Sequence, residues 1–406
     1  MAVLTAPRRF LPSVSRPNPV LAMISSAHGV THMYTALLPL VYPYVIQQFG
    51  ISYGELGLVV GVSSAIGGVI QLVFGIAGRH LSHKLLVGFG NIACGITVAL
   101  MGLAGGFIPF SLMRILHSIA QGPQHPIGNS MIADRFSEQK RGSAMSIHVA
   151  GGNVGTVIVP LLGTFLIAQL GWRPALVVFS IPGLLIGAAI VATILDAKQP
   201  HELAGPRSSF KSDFGVLVRD PTIRVIFLAS MVAAGGRGLG ILLTYIPLYL
   251  ANGLHLTPTL VGVLFTVLLV GSIVGPVAGG RLSDIIGRKR AIYIALAGSF
   301  VSTVALVASG HALAAVAASL ALMGLFVYAE APIAQTFLAD VTPPERRDSM
   351  FGLYFAFTFA TAAAYAAGVG ALIDAFGFTA AFVVVALSYV ATALIITPAR
   401  EPRRAC

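Results

Sequence analysis

Charged side chains are scarce in this chain: Asp, Glu, Lys and Arg make up 10% of its 406 residues, against about 25% in an average soluble domain. So few charges cannot cover a water-facing surface of that size, and water is not the main solvent. Cysteine is nearly absent too. Cys94 falls inside an apolar run and Cys406 at the end of the sequence, a pair that supplies neither a structural disulfide nor a four-ligand cysteine metal site. Redox and metal readings are set aside, and no cofactor is expected. Acidic residues number 14 against 25 basic ones, a net charge of +11. The basic residues fall in short clusters between apolar runs, with no aromatic-interleaved patch, which excludes a nucleic-acid partner. Neither a G-x-S-x-G elbow nor an H-E-x-x-H pattern occurs, so the enzyme reading is dropped.

What the chain has is hydrophobic length. Apolar side chains make up 56% of it, and runs of about 20 such residues are bilayer spans. Bounded by charge, Gly or Pro, these runs predict helices near 20–47, 54–77, 85–104, 107–134, 142–169, 174–195, 222–251, 258–279, 290–309, 312–339, 349–373 and 378–397. Residues 196–221, with the stretch AKQPHELAGPRSSFKSD, are charged, poor in aromatics and without apolar periodicity. They are expected to link an N-terminal six-helix bundle over 20–195 to a C-terminal one over 222–397. Residues 1–19 carry Arg8, Arg9 and Arg16 among prolines and lack an apolar core ending in a small-residue cleavage site. They read as a cytoplasmic tail, as do residues 398–406. All but three of the Lys and Arg residues lie in alternate, inner segments, which places both termini in the cytoplasm of an inner-membrane, multi-pass protein. The exceptions are Arg173, at an outer loop, and Arg114 and Arg237, within spans.

The two halves repeat each other at an offset near 200 residues. HPIGNSMIADRF from His125 aligns with APIAQTFLADVT from Ala331, AGRHLS from Ala77 with GGRLSD from Gly279, and Tyr42-Pro43 with Ile246-Pro247. Within the second copy, GRLSDIIGRKR from Gly280 to Arg290 resembles the loop between helices 8 and 9 of the major facilitator superfamily. Gly280, Asp284, Gly287, Arg288 and Lys289 fit it, while Ile285 stands where a basic residue is usual. The resemblance implies an all-α membrane fold of twelve helices in two pseudo-symmetric bundles. It also implies a gate loop, Arg281 included, in which Asp284 and its arginines brace the cytoplasmic side and let go as the gate opens. A carboxylate among glycines at a helix junction can itself cap free N–H groups and pair with guanidiniums. The first-half copy has Ser82 in place of the aspartate. HGVTHMYTALLPLVYPYVIQQFGIS from His28, the His125-Pro126 pair and AGGNVGTVIVPLLG from Ala150 are similar to the fosmidomycin-resistance branch of efflux transporters. Two departures stand out. Thr156 follows Gly155 where antiporters carry proline, and His32 stands where that branch has an aspartate.

Ionisable groups in a span cost about 2.5–3.5 kcal/mol on insertion scales, so each one points to a cavity or a partner. Ser25, His28, His32 and Thr35 share one face of the first helix, and Arg114, His117, Gln121 and His125 share one face of the fourth. Antiparallel helices put His28 level with His125 and His32 level with Gln121. The superfamily resemblance implies that helices 1, 4, 7 and 10 line the central path and that Arg114 is its buried arginine. Histidines titrate near neutral pH, which links the stripes to protons; each of these residues could equally tie helices together. In the second half, Arg237 and Glu330 are the opposite charges within spans, expected to pair when the site is empty. Asn153 is a further candidate substrate contact. Tyr34, Tyr42, Tyr44 and Tyr245 read as an outer gate or interface belt, and Tyr249 as belt.

These features favour a monomeric secondary transporter that moves a small molecule by alternating access, as a proton-coupled exporter. An uptake or exchange carrier for organic anions is the alternative, since two buried arginines outweigh one glutamate. A non-transporting membrane sensor is the third reading.

Overall fold

The computed structural model describes residues 18–78, 81–133, 135–136, 138–195, 210–234, 242–343 and 346–401. Every regular element among them is helical. The N-terminal half comprises α1 (Pro19–Phe49), α2 (Tyr53–Ala77), α3 (His83–Leu103), α4 (Phe107–Ala120), α5 (Gln124–Ala133), α6 (Glu138–Leu170) and α7 (Trp172–Thr193). The remainder comprises α8 (Phe210–Arg219), α9 (Pro221–Ala233), α10 (Leu243–Leu248), a π-helical turn over Tyr249–Gly253, α11 (Pro258–Ile286), α12 (Arg288–Ala308), α13 (Leu313–Val341) and α14 (Arg347–Ile396).

Local chemistry sets the helix ends. Asn18 and Asp220 accept hydrogen bonds from the first free N–H groups of α1 and α9, each followed by proline at the first helical position. Gly287 closes α11 with φ 102°, a conformation that only glycine adopts without strain.

One of the spans expected from the apolar runs is broken among the described residues. The fourth stops at Ala120 and resumes at Gln124 across Gly122-Pro123, where proline removes a helix donor. Of the seventh, α9 and α10 are described, and residues 235–241 lie outside the described set. The last two expected spans lie on either side of a break within α14 at Gly377, whose φ of 78° and ψ of 175° are not helical. Among the described residues, eight helices are long and apolar enough to cross a membrane. Large apolar side chains such as Leu72, Leu103, Ile108 and Leu185 stand outward, each more than 60% exposed, which suits lipid and no aqueous surface.

Within the N-terminal half α1 packs on α6 and α3 on α7, while in the C-terminal half α11 packs on α13 and α13 on α12. The halves meet along α2 against α14 and α6 against α11, two contacts that the sequence repeat makes equivalent. At the end remote from the termini, Asp374 of α14 accepts hydrogen bonds from the backbone N–H groups of Tyr53 (2.8 Å) and Gly54 (2.7 Å) on α2. Asn252 donates to the Tyr53 hydroxyl at 3.1 Å, and the Tyr53 ring meets Phe378 edge-on at 5.3 Å. The two halves are therefore tied together at that end.

Candidate functional site

Polar side chains gather where α1, α5 and α6 meet. Gly29 of α1 faces Gly151 and Gly155 of α6, and a Cβ on Gly155 would run into the Gly29 carbonyl. This absence of side chains lets the two backbones approach and brings the imidazoles of both helices together. His28 lies 4.5 Å from His32 and 5.0 Å from His125 between ring centroids, both edge-on, and His32 lies 5.7 Å from His125. One ring nitrogen from each of the three falls within 4.8 Å of the other two.

A fourth imidazole escapes the sequence reading. His148 of α6 stacks on His28 at 4.3 Å, and its backbone carbonyl sits 3.0 Å from His28 Nδ1. Its signal is present in the sequence: His148 shares a helical face with Gly152 and Thr156, four and eight residues on, but the polar stripes singled out lie on the first and fourth helices. Cysteine scarcity, on which metal chemistry was set aside, says nothing about a cluster of imidazoles.

Other residues of the expected stripe go elsewhere. His117 is fully buried and turned to α3, with Nδ1 3.0 Å from the Thr97 hydroxyl and Nε2 2.8 Å from the Gln121 amide. Gln121 caps α4 and makes a long contact of 3.5 Å to the Thr31 carbonyl. Arg114, half-buried, donates from Nε to the Tyr42 hydroxyl at 3.3 Å. The helix break at Gly122-Pro123 is the physical reason that the face divides: His125 begins a new helix and no longer follows the register of His117. His28 and His125 do meet, as their depths required.

Asn153 is half-buried and has no hydrogen-bond partner among the described residues. Glu330 of α13 is buried, at 4% exposure. Arg237 lies outside the described residues, and with it the expected pairing to Glu330. Tyr249 is a correction. It is 7% exposed and packs against Phe378 and Phe382, inside the bundle and not on a membrane belt. Arg173, expected at an outer loop, caps the end of α3 by donating to the Gly102 and Ala104 carbonyls at 3.1 and 2.6 Å.

The segment expected to form a gate loop carries two ion pairs of Arg288. Gly280 and Arg281 close the last turns of α11, Arg288 joins Asp284, and its Nε reaches Asp340 of α13 at 2.9 Å. Lys289 holds the end of α14 through the carbonyls of Thr397 and Ala399. These contacts all lie within the C-terminal half. Asp284 and Asp340 are 69% and 37% exposed, so each ion pair contributes only about 0–1 kcal/mol. Arg288→Ala is therefore expected to leave thermal unfolding almost unchanged. A large drop in the unfolding temperature, measured by fluorescence, would show that the brace also holds the fold.

A cavity of about 500 Å³ lies apart from the imidazoles, at the remote end between the halves. Leu40, Pro43, Tyr44 and Gln47 of α1 and Asn252, His255 and Leu256 beside α11 line it. Of the polar residues singled out from the sequence, Tyr44 lines it, and the histidines, Arg114, Gln121, Asn153 and Glu330 do not.

Comparison with known proteins places this geometry. The family model described as Major Facilitator Superfamily matches residues 24–257 and 228–405. The fosmidomycin resistance protein of Escherichia coli (strain K12) is 24% identical over 359 residues, 87% of this chain and 86% of that protein. The hexuronate transporter of Bacillus subtilis (strain 168) is 22% identical over 280 residues, 67% of this chain and 66% of its own length. The probable L-galactonate transporter of Escherichia coli (strain K12) is 26% identical over 140 residues, and the match spans 31% of its length. Among solved structures, a point mutant of the nucleoside transporter NupG superposes with TM-score 0.79 at 12% identity, covering 94% of this chain and all of that one. That likeness shows the fold alone.

Proposed function

The chain belongs to the Major Facilitator Superfamily, and from that premise we propose that this membrane transporter is a proton-coupled exporter of a small organic compound. In this reading it works as a monomer in the inner membrane, with both termini cytoplasmic. The observation that carries the reading is the polar interior at the α1–α5–α6 junction, where His28, His32 and His125 stand among apolar helices at ring distances of 4.5–5.7 Å. Polar groups at that depth are costly unless a path or a ligand uses them. Arg114, Gln121 and Asn153, each half-buried, complete the proposed lining; His117 is turned to α3, and Arg237, a further candidate from the sequence, lies outside the described residues. Export is supported by the similarity to the fosmidomycin resistance protein over most of both chains.

Protons enter through Glu330. A carboxylate buried in a span is held by a partner or by a proton, and exchanging one for the other as substrate arrives ties the two fluxes. The halves rock about the α2–α14 and α6–α11 contacts, with Asp374 releasing Tyr53 and Gly54 as the remote end opens. One observation favours a second reading, uptake or exchange of organic anions: Arg114 is a fixed cation in the N-terminal half, and sugar-acid carriers are among the relatives.

Proteoliposomes carrying a pH gradient, challenged with a panel of antimicrobials and organic anions, test this. Wild-type protein should dissipate the gradient only when substrate is present, and Glu330→Gln should lose that response while still binding substrate. Substrate flux without proton movement in the wild type would overturn the coupling and leave facilitated diffusion or anion exchange. Absence of any flux would leave the sensor reading.

A further inference from the structure

We propose that His28, His32 and His125 form a binding site for a divalent transition-metal cation. The three are one built constellation. His28 and His32 stand one turn apart on α1, and His125 enters from the first turn of α5, with one nitrogen of each within 4.8 Å of the others.

Hydrogen bonding decides which nitrogens are bare. His28 Nδ1 faces the His148 carbonyl at 3.0 Å. A carbonyl only accepts, so Nδ1 carries the hydrogen and Nε2 presents its lone pair. That Nε2 is buried and has no hydrogen-bond partner among the described residues, a costly arrangement for a structural histidine. His32 is set in the same way. The Thr156 hydroxyl donates to the Gly152 carbonyl at 3.3 Å, so its oxygen accepts from His32 Nδ1 at 3.2 Å, and again Nε2 is left bare. Metal-ligating imidazoles are oriented by this kind of second hydrogen bond, to a carbonyl or another oxygen on the far nitrogen.

The donor set selects the ion. Three neutral nitrogens, with no carboxylate or thiolate among them, suit Zn²⁺, Co²⁺, Ni²⁺ or Cu²⁺ and not Mg²⁺ or Ca²⁺. Tetrahedral ligands at about 2.0–2.1 Å from zinc lie roughly 3.4 Å apart, so the rings must close by about an ångström. Rotation of three side chains supplies that. Three protein ligands leave a fourth position open, for water or for a donor atom of an organic anion. The ion therefore comes either hydrated or as a chelate, and only this last step rests on the transporter reading. His148 stacks on the site without being one of its three ligands.

The test is a Co²⁺ titration of detergent-purified protein at neutral pH, prepared without a polyhistidine tag and read by visible d–d absorption. Wild-type protein should bind about one ion per chain, through tetrahedral nitrogen ligation. His32→Ala or His125→Ala should abolish the signal, and Thr156→Val should weaken binding about 10–100-fold by freeing the His32 ring. His148→Phe should bind normally, because His28 is held by a backbone carbonyl. Unfolding temperatures without metal confirm that each variant is folded, and added Zn²⁺ should raise the temperature of the wild type but not of His125→Ala. No saturable binding at sub-millimolar Co²⁺, or binding that survives the paired His32→Ala and His125→Ala changes, would overturn the site. Flux of Co²⁺ alone against Co²⁺ with citrate separates hydrated ion from chelate. Glu330-dependent proton movement without metal binding would sink the metal site and leave the exporter; metal binding without any flux would do the reverse.

Discussion

Replacing Asp374 by alanine should shift the protein toward a state open at the end remote from the termini. The two N–H groups that Asp374 accepts from, on Tyr53 and Gly54, belong to the first turn of α2, where helix donors are unpaired and the dipole favours a negative charge. Asp374 thus caps a helix of the opposite half. Within α2, Ser52 and Glu55 already satisfy each other as a capping box at 2.8 and 3.1 Å, so α2 itself should survive the loss. Hydrogen bonds to a charged group contribute about 1.5–3 kcal/mol when sheltered. Asp374 is exposed, and about 1–2 kcal/mol for the pair is the fitting figure, roughly a 5–30-fold change in the balance of two states. Maleimide labelling of Thr35→Cys, with Cys94 and Cys406 replaced by serine, reads that balance from the remote side. Labelling should quicken by that factor in Asp374→Ala and by less in Asp374→Asn, which keeps one acceptor. An unchanged rate would mean that the bond does not hold the halves together.

The helices were legible because lipid imposes a coarse rule: apolar length is enough to mark a span, and nearly every expected run is helical. Breaks within the runs were harder to see. Gly122-Pro123 sits inside an apolar stretch, and hydropathy alone passes over it although proline chemistry does not. Gly377 differs, since the expected spans 349–373 and 378–397 already leave it between them, and its φ of 78° makes that break. The loop could be singled out because GRLSDIIGRKR resembles the superfamily's signature, and Arg288 meets Asp284 across the helix break at Gly287. Asp374 could not, because its partners are backbone N–H groups 321 and 320 residues away, and a lone acidic residue between two spans looks like any loop charge. The imidazole cluster was half legible. Helical periodicity put His28 and His32 on one face and matched His125 in depth. Adding His148 required knowing that α6 crosses α1 at Gly29, and that crossing depends on two small residues whose meaning lies in what they lack.

That crossing carries the other large prediction, Gly155→Leu. A Cβ on Gly155 already collides with the Gly29 carbonyl, and backbone cannot give way as a flexible side chain can. The helices must separate along α1 and α6, a contact that runs much of the length of both. Overpacking in a filled interior costs about 1–3 kcal/mol, and a branched side chain between two backbones belongs at or above the top of that range. The first casualty is the bond from His28 to the His148 carbonyl, at 3.0 Å, because its two ends sit on opposite sides of the crossing. The second is the 3.2 Å contact between His32 and Thr156. Gly155→Leu should therefore lower the unfolding temperature by several degrees and remove transport together with Co²⁺ binding. Gly352→Leu is the matched control: a Cβ there meets nothing within 4 Å, so the added side chain enters open space and both properties should persist. If Gly155→Leu were as stable and active as Gly352→Leu, the close approach of α1 and α6 would not be what assembles the imidazoles.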